Sequence, residues 1–168
     1  ENSLLSKAVA SQQPFSLIFW GPPGTGKTTL ARILSRESGA EYFELSAISS
    51  GVKDVREVLQ RGKDSFAIGK RTILFIDEIH RFTKTQQDAL LHAVEEGSIT
   101  LVGATTENPS FEVISPLLSR CKVLRLYPLT EKELENVLKR AMEDDILLTQ
   151  RNLKLDEKAE TLLLESSG

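Results

Sequence analysis

From residue 16 to residue 126, short unbroken apolar runs alternate with stretches whose apolar residues recur every three or four positions. Ser16-Leu17-Ile18-Phe19-Trp20 is such a run, ending in a Gly/Pro cluster, and predicts a strand buried on both faces with Trp20 in the core. Lys27 to Ser38 carries Leu30, Ile33 and Leu34 at helical spacing, with Gly39 where the helix would stop. Tyr42 to Leu45 supplies a second strand. Val52 to Phe66 sets Val52, Val55, Val58 and Leu59 on one face and Lys53, Arg56, Glu57 and Arg61 on another, the pattern of a half-exposed helix. Gly69-Lys70-Arg71 breaks that pattern. A third strand over Thr72 to Ile76 is followed by a helix over about Lys84 to Glu95, closed by Gly97, and by a fourth strand over Ile99 to Ala104. Asn108-Pro109 reads as a turn, Val113 to Ser119 as a short helix and Lys122 to Leu126 as a fifth strand. This alternation predicts an α/β architecture, a five-stranded parallel sheet between helices, because parallel neighbours need crossover connections. After Pro128 the pattern changes to two amphipathic helices, Glu131 to Leu148 and Asp156 to Glu165, so residues 1–128 form the core and residues 129–168 open a small helical domain.

Composition narrows the setting. A chain of 168 residues has room for one well-buried core plus an appendage. Hydrophobic residues at 40% with charged residues at 27% fit a globular protein, and no stretch approaches the roughly 20 apolar residues of a membrane helix. There is no basic-then-apolar leader, and the single Cys121 excludes an internal disulfide or a cysteine metal cluster, which points to a reducing cytoplasm. A net charge of -3 gives no global attraction to nucleic acid, so any DNA contact has to come from a local face or an assembled ring. A start at Glu1 without methionine and a stop at Ser166-Ser167-Gly168, directly after a helical pattern, suggest an excised fragment.

The chemistry concentrates at strand ends. Gly21-Pro22-Pro23-Gly24-Thr25-Gly26-Lys27-Thr28 fits the phosphate-binding pattern of Gly, four residues, Gly-Lys-Ser/Thr, between a predicted strand and a predicted helix. The glycines let backbone N–H groups turn toward one anion, and the helix N-terminus adds partial positive charge. Lys27 reaches the outer phosphates, and Thr28 offers a hydroxyl to magnesium. From background composition a chance match is about half a percent, which disfavours a plain Gly-rich turn. Asp77 and Glu78 end an apolar strand at the sheet edge where open α/β sheets place ligands. Asp77 suits a magnesium ion held through water, and Glu78 suits a base taking a proton from attacking water. By themselves the two acids read equally well as a solvated strand end; the loop upstream favours function. Thr106, after the fourth strand, is placed to sense a terminal phosphate, although β-branched threonines suit strand ends in any case. Arg120 alone reads as a solvated charge. His80 and His92 lack a third metal ligand at useful spacing, and the helicase-like Asp77-Glu78-Ile79-His80 box stands beside only one phosphate loop.

Taken together, Gly21 to Thr29, Thr72 to Phe82, Gly103 to Phe111 and Leu117 to Cys121 make the chain resemble the AAA+ P-loop ATPases of the clamp-loader clade. The runs Gly103 to Phe111 and Ile79-His80-Arg81-Phe82 bring it nearest to the replication-associated recombination group. That resemblance implies ATP and Mg2+ as ligands, with Gly21 through Thr29 around the phosphates. It also implies Asp77 and Glu78 in the second motif, Thr106 as the sensor, Arg120 as a finger entering a neighbour's site, and a truncated helical lid. It further implies a nucleoid-associated cytoplasmic homo-oligomer, a tetramer, acting on forked, single-stranded or duplex-end DNA in fork maintenance, recombination and repair, with replication proteins as further partners. Ser49 to Lys53 would face a DNA channel, and Ser46 stands where clade members often carry a switch asparagine. The second sensor arginine, the adenine-covering segment and the tetramer-forming region fall outside the chain. Alternatives on the same fold are a clamp-loader subunit and a branch-migration motor; rivals of other classes are a small-molecule kinase on the same phosphate loop and a module that binds nucleotide without turnover.

Overall fold

In a computed structural model of the chain, residues 15–150 and 155–166 are described; both chain ends, on which the reading as a fragment rests, lie outside them. The chain divides between Leu126 and Tyr127 into two compact units. The first contains strands β1 (Leu17–Trp20), β2 (Glu41–Ser46), β3 (Thr72–Asp77), β4 (Thr100–Thr105) and β5 (Lys122–Arg125). Its helices are α1 (Lys27–Ser38), α2 (Val52–Ala67), α3 (Lys84–Glu95), α4 (Pro109–Glu112) and α5 (Ser115–Ser119), with a 3-10 turn at Ile79–Arg81. The strands form one parallel five-stranded sheet in the order β2-β3-β4-β1-β5.

Successive residues of a strand face opposite sides, so a sheet covered on both sides needs continuous apolar runs. Leu17, Phe19, Ile73, Phe75, Val102 and Ala104 pack with Ala31 and Leu34 of α1. Ile18, Leu74, Ile76 and Leu101 pack in the other layer with Val55 and Leu59 of α2, Leu90 of α3 and Leu117 of α5. The helical face of α1 is rotated from the expected one: Ile33 is 46% exposed, whereas Ala31 is fully buried and its small side chain lets the helix approach the sheet. Trp20 also departs from expectation. It is half-buried at the end of β1, with the Arg125 guanidinium 4.8 Å from its ring centroid rather than packed in the core.

Two loop readings are corrected. Asn108-Pro109 is not a free turn but the start of α4, the Asn108 side chain accepting from Ser110 N at 3.0 Å and Pro109 occupying the first helical position. The single helix expected over Val113 to Ser119 begins only at Ser115, because Val113 is extended and buried Gln87 holds the link. The Gln87 Oε1 accepts from Ile114 N at 2.9 Å while its Nε2 donates to Glu112 O at 3.1 Å. In the second unit α6 (Glu131–Asp144) and α7 (Ile146–Gln150) replace one continuous helix, and α8 (Glu157–Ser166) follows. Asp145 interrupts the helix because it is extended and its carboxylate accepts from Leu148 N at 3.1 Å, capping α7 instead of continuing α6. No helix among the described residues is long and apolar enough to cross a membrane.

Candidate active site

Strand order decides what meets at the carboxyl edge of the sheet. β4 lies between β3 and β1, so the loop after β1 and the acids after β3 stand two strand spacings apart, about 10 Å. The turn after β4 falls between them. The phosphate loop, the acidic pair and Thr106 therefore share one edge.

The loop follows β1 directly. Gly21 N–H donates to Thr105 O at 3.1 Å, tying the start of the loop to the end of β4. Gly24 and Gly26 adopt positive φ values of 78° and 80°, a region glycine enters without steric cost, and this turns the chain into α1 at Lys27. Lys27 is only 8% exposed. Its ammonium donates to Gly21 O at 2.8 Å and Pro22 O at 2.7 Å, folded back over the loop. Burial pulls the Lys27 pKa below the ordinary lysine value, while the Glu78 and Asp77 carboxylates push it back up. The buried cation of the loop is thus within electrostatic reach of both acids.

Asp77 ends β3 in register with Ser46 of β2, and its Oδ1 accepts from Glu78 N at 3.1 Å. Glu78 is the only non-glycine residue with positive φ among the described residues, at φ 51° and ψ 47°. That conformation costs about 1–2 kcal/mol for an ordinary residue, and it aims the carboxylate across β3 toward the end of β4. There Glu78 Oε2 accepts from Thr106 N at 3.4 Å and from Thr106 Oγ1 at 3.3 Å, and His80 Nδ1 lies 3.1 Å from the same oxygen.

The amide-lined loop, a buried cation at its base, a carboxylate at the end of β3 and a second carboxylate held near a threonine can together grip a polyphosphate and face its end with a base. Thr28, at the first turn of α1, and Asp77 supply hard oxygen donors of the kind magnesium takes. Arg120 is not brought to this edge. It precedes β5, four residues long, and so lies about 13 Å or more away at the amino-terminal edge. There its guanidinium pairs with the Glu95 carboxylate and donates to Pro116 O at 2.9 Å and Ser119 Oγ at 3.1 Å. Sequence reasoning missed three of these residues: His80 and Thr105 at the site, and Glu95 as the partner of Arg120. For His80 the only signal was its position two residues after Glu78, beside a threonine pair whose strand neighbour was unknown.

The sequence profile described as "ATPase family associated with various cellular activities (AAA)" matches residues 17–129. The chain is 51% identical over 162 residues to the ATPase WRNIP1 of Dictyostelium discoideum, covering 96% of this chain and 18% of that protein. It is 52% identical over 140 residues to the replication-associated recombination protein A of Escherichia coli K12, covering 83% of this chain and 31% of that protein. The chain thus spans a third or less of the length of these curated relatives. The solved Thermotoga maritima RuvB Holliday junction branch migration motor superposes with a TM-score of 0.73 at 31% identity, over 95% of this chain and 53% of that one. With the profile match spanning the α/β unit and its phosphate loop, the chain belongs to the AAA family of ATPases.

Proposed function

We propose that the chain is the ATP-hydrolysing core of a DNA-acting AAA+ ATPase in replication-fork maintenance and recombination. One observation carries the reading: the strand order sets Lys27, Asp77, Glu78 and Thr106 at a single sheet edge, with Lys27 electrostatically coupled to both acids. Gly21 through Thr29 wrap the phosphates. Lys27 leaves the Gly21 and Pro22 carbonyls for the outer phosphates, an exchange of one pair of oxygen acceptors for another. Thr28 and Asp77 would hold magnesium, which would neutralise phosphate charge. Glu78 takes the proton from attacking water, and Thr106 detects the terminal phosphate through the hydroxyl it otherwise gives to Glu78.

Arg120 serves a neighbouring subunit's nucleotide. Its position a strand length from its own phosphate loop supports this, because only an oligomer can then complete a site. Action on DNA is supported by the likeness to replication-associated recombination protein A, and the RuvB likeness favours a second reading as a branch-migration motor. Phosphate release by the complete protein, with and without forked DNA, tests the core claim. Glu78→Gln should abolish release while leaving nucleotide binding intact; undiminished release would remove Glu78 as the base. Mixing Lys27→Ala with Arg120→Ala subunits should recover part of the lost turnover, and no recovery would contradict the shared site.

A further inference from the structure

The Glu78 carboxylate is tied to the β4 edge by one side chain that the hydrolytic scheme leaves unused. His80 Nδ1 lies 3.1 Å from Glu78 Oε2 and 3.0 Å from Thr105 Oγ1, and the ring is 12% exposed. The neighbours decide which way these hydrogen bonds run. A carboxylate only accepts. The single hydroxyl hydrogen of Thr105 is given to Glu107 O at 3.2 Å, and Glu107 N donates back to the same Oγ1 at 3.0 Å. Both partners of His80 Nδ1 are therefore acceptors, and the tautomer they select is the one with hydrogen on Nδ1. That N–H bonds the Thr105 hydroxyl oxygen, itself tied to Glu107 of the turn carrying Thr106, and lies against the Glu78 carboxylate.

We infer that His80 is a positioning residue that clamps the Glu78 carboxylate to the phosphate-sensing turn after β4, keeping base and sensor in fixed register through the reaction. This rests on the reading of Glu78 as the base. Two donors from Thr106 reach Oε2, and the His80 Nδ1 lies 3.1 Å from the same oxygen. When a terminal phosphate draws the Thr106 hydroxyl away, the His80 ring remains the side chain that holds that oxygen against the turn. Ser46, at the end of the neighbouring strand, supplies no donor to Glu78 among the described residues. The Glu78 backbone sits in a strained left-handed conformation that by itself favours relaxation, so an external clamp is what the geometry requires.

The test uses the complete protein and separates binding from turnover. His80→Ala should lower kcat roughly tenfold or more, since ångström-scale misplacement of a base can cost up to about a hundredfold, with KM and the Kd for a fluorescent ATP analogue within about twofold of wild type. His80→Asn places an amide N–H the same number of bonds from Cβ as Nδ1 and should restore most of the rate. Thr105→Val, which keeps shape and removes the second acceptor, should lower kcat by a smaller factor. Nitrogen NMR of the imidazole should show hydrogen on Nδ1 in the resting protein, and a resting ring with hydrogen on Nε2 alone would overturn the clamp. An unchanged kcat in His80→Ala, a fall matched by equal loss of ATP affinity, or His80→Asn behaving as His80→Ala would overturn the clamp. Glu78→Gln distinguishes the two readings: turnover surviving there defeats the hydrolytic scheme itself, whereas a dead Glu78→Gln beside a fully active His80→Ala defeats only the clamp.

Discussion

Replacing Gly21 by alanine removes no phosphate ligand, yet it should cripple the site. A Cβ there would lie 2.4 Å from the Leu126 carbonyl oxygen and 3.1 Å from its carbon, and ordinary contact begins at 3.4 Å. The start of the loop and the end of the β5 segment would have to part by about 1 Å (3.4 minus 2.4 Å). Leu126 N donates to Trp20 O at 2.7 Å, so the same movement stretches that bond to about 3.7 Å, past the useful limit. A lost backbone hydrogen bond of about 1 kcal/mol plus overpacking of about 1–3 kcal/mol gives a destabilisation of about 2–4 kcal/mol. In a domain of this size that lowers Tm by about 4–16 °C. Because Gly21 O is also a resting acceptor of the Lys27 ammonium, the displacement should move Lys27 and weaken nucleotide binding about tenfold or more, the equivalent of 1.4 kcal/mol. The assay is built into the chain: Trp20, the only tryptophan, adjoins the substituted residue, so urea unfolding followed by its fluorescence reports stability. A fluorescent ATP analogue reports affinity. Gly24→Ala is the control, with open space around the added carbon but φ of +78°, so only local strain of about 1–2 kcal/mol applies. A Gly21→Ala protein as stable as wild type with full affinity, or one less affected than Gly24→Ala, would refute the steric argument.

Three further outcomes can be checked on the same protein. Thr72 Oγ1 is buried without a hydrogen-bond partner among the described residues, so Thr72→Val should raise unfolding stability by about 1 kcal/mol; a loss in urea midpoint would show the hydroxyl is satisfied. Thr83 caps α3, its Oγ1 accepting from Gln86 N at 3.3 Å and donating to Gln86 Oε1 at 2.9 Å, so Thr83→Ala should cost about 1 kcal/mol and about 2–4 °C in Tm by calorimetry. Burial pushes the Cys121 thiol up to about 12, so a maleimide at pH 8 should label the native protein far more slowly than the urea-unfolded chain. Because the folded thiol holds its proton to higher pH than the unfolded one, its contribution to stability is complete below the unfolded pKa. That contribution should fall as pH rises from about 8.5 toward the folded value. Equal labelling rates, or stability rising over that window, would contradict the burial.

Much of the molecule was legible from local pattern. The apolar runs marked the central strands β1, β3 and β4 to within a residue or two, because a sheet covered on both faces leaves such strands no polar alternation; the polar-flanked edge strands β2 and β5 were also found to within a residue or two. Lys27–Ser38 and Lys84–Glu95 matched their expected spans because Gly39, Gly97 and the capping pair Thr83 and Gln86 write helix ends into adjacent residues. Gly21 to Thr28 declared its chemistry for the same reason: a tight turn onto a helix start is a short-range demand on residue type.

What depended on distant partners stayed hidden. The order β2-β3-β4-β1-β5 is a matter of which strands pair, and no short segment encodes it. Gln87 broke the expected helix after Val113 from 26 residues upstream, and Ala31 rather than Ile33 met the sheet because the approach of the packed layer set the buried face. His80 looked like an idle histidine until the fold set it beside Thr105, and Arg120 like a solvated charge until the fold carried it to the opposite edge against Glu95. Backbone geometry is governed by neighbours along the chain and can be read from sequence alone, whereas side-chain encounters across the sheet exist only once the whole sheet has formed.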